Sequence, residues 1–155
     1  MTAIFLHLYS AITKMMKIST RGQYALLIMT ELAQQPEDRF IPLKLLSHRH
    51  NLSVKYLEQI LIQLSKAGLV EGVRGSNGGY RLVKKTVEYT TGEILRALEG
   101  DLAPVSHAKN NVITDSGNDD YWNEFAVVIN NYVDSITLDK LVEKNNADNG
   151  WMYYI

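Results

Sequence analysis

Cysteine is absent from the chain. That excludes disulfides, thiolate zinc sites and iron–sulfur clusters held by cysteine, and it fits a cytoplasmic location. Long apolar runs are lacking too. The most apolar stretch, residues 1–15 (MTAIFLHLYSAITKM), is too short to span a bilayer. It also lacks the basic leader and small-residue cleavage site of a signal peptide. Met16 followed by Lys17 looks like a natural start, so residues 1–15 read as an upstream start or cloning extension, or else as a functional arm. No P-loop, dinucleotide glycine pattern, metal-ligand cluster or nucleophile motif occurs, which leaves an enzyme the least supported class. His48 and His50 flank Arg49, but residues two apart point to different helix faces, and no third ligand is near. No cofactor and no metal are expected.

Net charge is nearly absent as well, at −1, but the balance hides an asymmetry. Residues 16–85 carry 11 Lys/Arg against 5 Asp/Glu, and residues 86–155 carry 4 against 12. A basic first half is the footprint of a polyanion partner. The acidic second half would be repelled by that partner and faces protein instead. A chain of 155 residues suggests one domain, with enough length to bury about two-thirds of its unfolded surface.

What is present centres on residues 51–83. Ser53 is a good N-cap, Leu52 and Leu57 form a hydrophobic staple, and Leu57, Ile60, Leu61 and Leu64 make one apolar stripe. Gly68 supplies a left-handed C′ position. The polar face carries Lys55, Gln59, Gln63 and Lys66, with Tyr56 at its edge and only one acid, Glu58. A solvated helix surface would look similar. A helix presenting Lys55, Tyr56 and Gln59 near its N-terminus also suits base edges in a major groove. Two short β-type runs follow, residues 69–74 and 80–83, around the Gly-rich tip GSNGG. If Asn77-Gly78 forms a two-residue turn, Arg74 sits opposite Arg81, which would be useful with a phosphate between them. A helix followed by a Gly- and Arg-tipped ribbon is the winged helix-turn-helix pattern.

Upstream, Thr20 opens a first helix with a T-x-x-Q capping box to Gln23, and Ser19, Thr20 and Arg21 sit at its positive end as phosphate contacts. Ordinary capping is the other reading. Pro42 suits the first turn of a second, short helix. Downstream, Thr90 to Glu93 reads as another capping box, and residues 101–119 as a mobile loop, with His107 a solvated loop residue. From Tyr121 a strongly apolar helix returns. Trp122, Phe125, Val128, Ile129 and Tyr132 are expected to pack on a second copy; burial within its own domain is the alternative. A short helix over 135–144 and a polar break at 145–150 precede an aromatic tail. Tyr153, Tyr154 and Ile155 either pack across the dimer or act as a docking peptide.

The resulting expectation is a mainly α fold: a winged helix-turn-helix with a two-stranded β wing and a C-terminal dimerisation helix. The segments are an extension (1–15), the DNA-binding domain (16–85), a connecting helix and loop (86–120), and the dimerisation helix with its tail (121–155). The DNA-contacting set is Ser19, Thr20, Arg21, Ser53, Lys55, Tyr56, Gln59, Arg74, Ser76, Asn77, Gly78, Tyr80 and Arg81. The partners are double-stranded DNA with an inverted-repeat operator and a second copy of the chain, with no membrane.

Residues 17–26 (KISTRGQYAL), 52–61 (LSVKYLEQIL), 68–70 (GLV) and 74–80 (RGSNGGY) together resemble the IscR/NsrR/CymR family of winged-helix regulators. Many members hold an iron–sulfur cluster on three cysteines in the loop matching 101–119, and this chain has none. Residues 98–105, 134–138 and 152–155 look like the cysteine-free branch that includes CymR. That resemblance implies a repressor of cysteine metabolism acting with cysteine synthase, which senses O-acetylserine. It also implies a role for Ile155, because that enzyme can receive a partner's C-terminal isoleucine.

Overall fold

The computed structural model describes residues 17–104 and 116–151. The docking residues Tyr153, Tyr154 and Ile155, the extension 1–15 and His107 lie outside the described residues. Helix α1 (Thr20–Ala33) is capped by Ser19, whose hydroxyl accepts from the Gly22 amide at 3.1 Å. Thr20 is therefore the first helical residue and not the cap. Gln23 donates to the Ile18 carbonyl, so no T-x-x-Q box forms. Ser19 wins because its φ of −65° and ψ of 160° are extended, as a cap requires.

A turn follows Pro36, closed by the Arg39 amide on the Pro36 carbonyl at 3.0 Å, and Ile41 then exchanges two 2.9 Å backbone hydrogen bonds with Tyr80. This bridge extends the two-stranded wing, and nothing in the local pattern around Ile41 points to it. Gly79 permits it: a Cβ there would stand 2.2 Å from the Ile41 carbonyl oxygen. Helix α2 (Leu43–His50) ends on Asn51 in the left-handed conformation at φ 51°. Ser47 donates to the Leu52 carbonyl and closes the turn into α3.

Helix α3 (Val54–Lys66) has the expected cap, with Ser53 Oγ accepting from the Tyr56 amide at 3.2 Å. Leu57, Ile60, Leu61 and Leu64 are fully buried. Its end is a Schellman turn: the Leu69 amide reaches the Leu64 carbonyl and the Gly68 amide reaches Ser65, with Gly68 at φ 73°. Strands β1 (Val70–Val73) and β2 (Gly79–Leu82) pair antiparallel, with Val73 opposite Gly79 and Glu71 opposite Arg81. The turn thus spans residues 74–78 rather than two residues. Arg74 leaves the ladder, and Arg81 faces a carboxylate instead of another arginine, with Nε 2.6 Å from Glu71.

A 3₁₀ turn (Thr86–Glu88) leads to Tyr89 and helix α4 (Thr91–Glu99). Thr90 caps α4 by accepting from the Glu93 amide. Glu93 does not reach back to complete a box, because its carboxylate binds Lys84 at 2.6 Å. Helix α5 (Ser116–Ser135) begins inside the stretch read as loop, and helix α6 (Leu138–Trp151) runs through the expected polar break at 145–150. α6 lies along α1, and Leu138 sits in the same core as Ile28, Leu61 and Tyr89. Part of the segment 121–155 therefore belongs to the winged-helix core. Burying each such leucine contributes about 1.5–3 kcal/mol.

Candidate nucleic-acid interface

The N-terminal halves of α1 and α3 meet in an edge-on contact between Tyr24 and Tyr56, ring centroids 6.0 Å apart at 87°. Tyr56 is half-buried by that contact, while Lys55 and Gln59, one helical turn apart, are exposed. Val54 is 41% exposed although its spacing places it on the apolar stripe. An exposed apolar side chain at the start of this helix can meet a thymine methyl. It was missed because periodicity assigns it to the core.

The expected α1 contacts divide. Thr20 and Arg21 are exposed. Ser19 is engaged: its amide and hydroxyl both donate to Glu99 Oε1, at 3.1 and 2.5 Å, while the hydroxyl caps Gly22. At the wing tip, Arg74, Ser76 and Asn77 are exposed and Gly78 is half-buried. Tyr80 and Arg81 belong to the wing's base. Tyr80 packs against the core, and Arg81 is shared between Glu71 and the Phe40 ring, 4.6 Å from its centroid. The arrangement presents a capped helix with amide, ammonium and methyl groups beside a Gly-rich basic tip, which suits a groove and its flanking phosphates.

Behind this surface, Lys84 is held by Glu93, whose hydrogen bond raises the ammonium pKa against the opposing effect of partial burial. The Arg96 guanidinium likewise holds the Asp134 carboxyl below its ordinary value. On α5, Val128 and Tyr132 are 63% and 64% exposed and Trp122 is 39% exposed; Phe125 and Ile129 are half-buried. Tyr121, Trp122 and Phe125 form one aromatic group. No helix among the described residues is long and apolar enough to cross a membrane.

A family model described as "Rrf2: Iron-dependent Transcriptional regulator" matches residues 18–144. The chain is 36% identical to the HTH-type transcriptional regulator CymR of Bacillus subtilis, over 90% of this chain and all of that one. It is 32% identical to the HTH-type transcriptional regulator IscR of Photobacterium profundum, over 85% of this chain and 78% of that one. The solved structure of CymR, the global cysteine regulator of B. subtilis, superposes with a TM-score of 0.73 at 37% identity, covering 84% of this chain and 98% of that one. The structure of T. potens IscR gives 0.71 at 35% identity, covering 89% and 96%. Iron held by thiolates does not fit here, since the chain has no cysteine. Among the described residues there is also no group of three or more His, Asp or Glu able to hold a metal. With its wing, its capped α3 and these matches, the chain belongs to the Rrf2 family of transcriptional regulators.

Proposed function

We propose that two copies of this DNA-binding regulator bind an imperfect inverted repeat and repress genes of cysteine or sulfur metabolism in the cytoplasm. The observation that carries the reading is the exposed pair Lys55 and Gln59 on the capped start of α3, beside the Arg74 tip, in a chain close to CymR. Lys55, Gln59 and Val54 meet base edges, with Tyr56 at the margin. Thr20, Arg21, Arg74, Ser76, Asn77 and the tip amides hold the backbone. The apolar face of α5, through Trp122, Phe125, Val128, Ile129 and Tyr132, joins the two copies and sets their α3 helices into successive grooves roughly 34 Å apart. Control runs through cysteine synthase, with Ile155 as the docking residue, and involves no iron cluster.

The test is a titration of the full chain on genomic fragments, with and without cysteine synthase and O-acetylserine. Lys55→Ala should weaken the best fragment by about 1–3 kcal/mol and relax its sequence preference. Arg74→Ala should weaken all fragments alike and flatten the salt dependence by about one phosphate's worth. Unchanged affinity for Lys55→Ala at fixed salt would overturn the groove assignment. Equal complex formation with cysteine synthase after deletion of Ile155 would overturn the docking role.

A further inference from the structure

Helix α5 is anchored at one end. Its C-terminal turn meets α4 through a planar fork. Arg96 Nη1 and Nη2 donate to the two carboxylate oxygens of Asp134 at 2.8 and 2.9 Å, and Nη2 also donates to Asn130 Oδ1 at 2.5 Å. Asn130 and Asp134 are one helical turn apart, so one guanidinium reads a single face of α5. Thr91 Oγ1 donates to the Val133 carbonyl at 2.7 Å, and the approach is so close that a Cβ on Gly92 would lie 2.1 Å from Asp134 Oδ1. The exposed apolar residues Tyr121, Trp122, Val127 and Val128 lie N-terminal to this anchor, and the exposed Tyr132 lies within its span.

We infer that Arg96 is a positioning residue for operator recognition: by gripping Asn130 and Asp134 it sets the direction of α5 relative to the winged helix, and so the half-site spacing that the dimer accepts. This rests on the dimeric, inverted-repeat reading above. Adding one base pair moves a half-site by about 3.4 Å and rotates it by about 35°. A dimer can reject that change only if the joint between α5 and each winged helix is stiff. Turning α5 by one residue, about 100°, would carry Asn130 and Asp134 away from the fork together. A bidentate guanidinium resists such rotation, whereas a lone ammonium gripping one oxygen does not. Arg96 is 34% exposed and Asp134 46%, so the pair lies at the rim of the core and not within it.

The experiment uses the full chain and the best genomic fragment from the titration, rebuilt as duplexes with the spacer changed by one or two base pairs, and as a single half-site. The wild type should lose about tenfold or more in affinity for each base pair changed. Arg96→Met should hold all spacings within about threefold of one another, with half-site affinity and thermal midpoint near wild type. Arg96→Lys, which keeps the charge but not the fork, should flatten the profile too. Asp134→Asn provides the same comparison from the other side of the contact if an Arg96 variant fails to fold. An Arg96→Met or Asp134→Asn protein with the sharp wild-type profile overturns the inference alone. A wild type indifferent to spacing overturns the inverted-repeat reading itself, and this inference with it.

Discussion

Tyr89 shows how much one side chain carries here. It is fully buried, and its hydroxyl accepts from the Val83 and Lys84 amides at 2.8 and 2.7 Å and donates to the Leu69 carbonyl at 2.8 Å. Burial pushes its pKa above the ordinary tyrosine value, while the two donated amides pull the other way. The phenol therefore keeps the proton it donates, and three backbone groups at the root of the wing depend on it. Tyr89→Phe should destabilise the fold by about 1–3 kcal/mol, because those groups lose their partner inside the core. The check is the urea unfolding midpoint. An unchanged midpoint would mean that water replaces the hydroxyl. Residue-level signals of capping were legible beforehand: Ser53, Gly68 and Thr90 do what their types and positions imply. The partners of Ser19, Arg81 and Glu93 were not legible. Each depends on a residue from another element: Glu99, Glu71 and Lys84 respectively.

The elements show where periodicity succeeds and where it stops. α3 was legible as a whole, since its apolar stripe, cap and terminator agree. The wing was legible as a hairpin but not in register, because Asn77-Gly78 does not form a two-residue turn; the loop holds five residues, 74–78. That shift moves Arg74 to the tip and gives Arg81 to Glu71. Helix α6 was legible as a short helix with Leu138, Leu141 and Val142 inward, and Leu138 does enter the core at 0% exposure; its length beyond residue 144 was not legible. The Leu138 amide also bonds to the Tyr89 carbonyl, and the Thr91 amide to that of Ile136. Leu138→Ala should cost about 2–5 kcal/mol by leaving a cavity beneath α1. Its effect, read by chemical unfolding, should appear in the same cooperative transition as the winged helix. A separate transition would show that α6 folds apart from the DNA-binding unit.

For the whole molecule, charge is segregated along the chain and follows function. The basic part builds α1 to the wing, and the acidic part builds α4 to α6. In the proposed complex, phosphate repulsion would keep the acidic helices away from DNA and long-range attraction would orient the basic face toward it. The apolar face of α5, with Val127 56% and Val128 63% exposed, is the surface proposed to join the two copies. Changing Val128 and Tyr132 together to Glu should raise the dimer dissociation constant by about 30-fold or more. Sedimentation equilibrium measures that directly. The same variant should bind a single half-site as the wild type does but lose the gain from the second half-site. A variant that stays dimeric would place the contact between copies elsewhere.

The sequence by itself determined the class of the molecule. Helix caps, apolar spacing and the glycine terminator are local, because the groups they satisfy lie within a turn or two along the chain. The charge split is a property of composition and needed no coordinates. Only the tertiary structure decided which contacts those elements make with one another. It placed Ile41 against Tyr80 and Leu138 beside Tyr89, gave Glu71 to Arg81, and closed Arg96 around Asn130 and Asp134. Such pairings join residues distant in the chain. They depend on loop length and on shape at close approach, as at Gly79, where a methyl group would meet the Ile41 backbone, and at Gly92, where it would displace the Asp134 carboxylate.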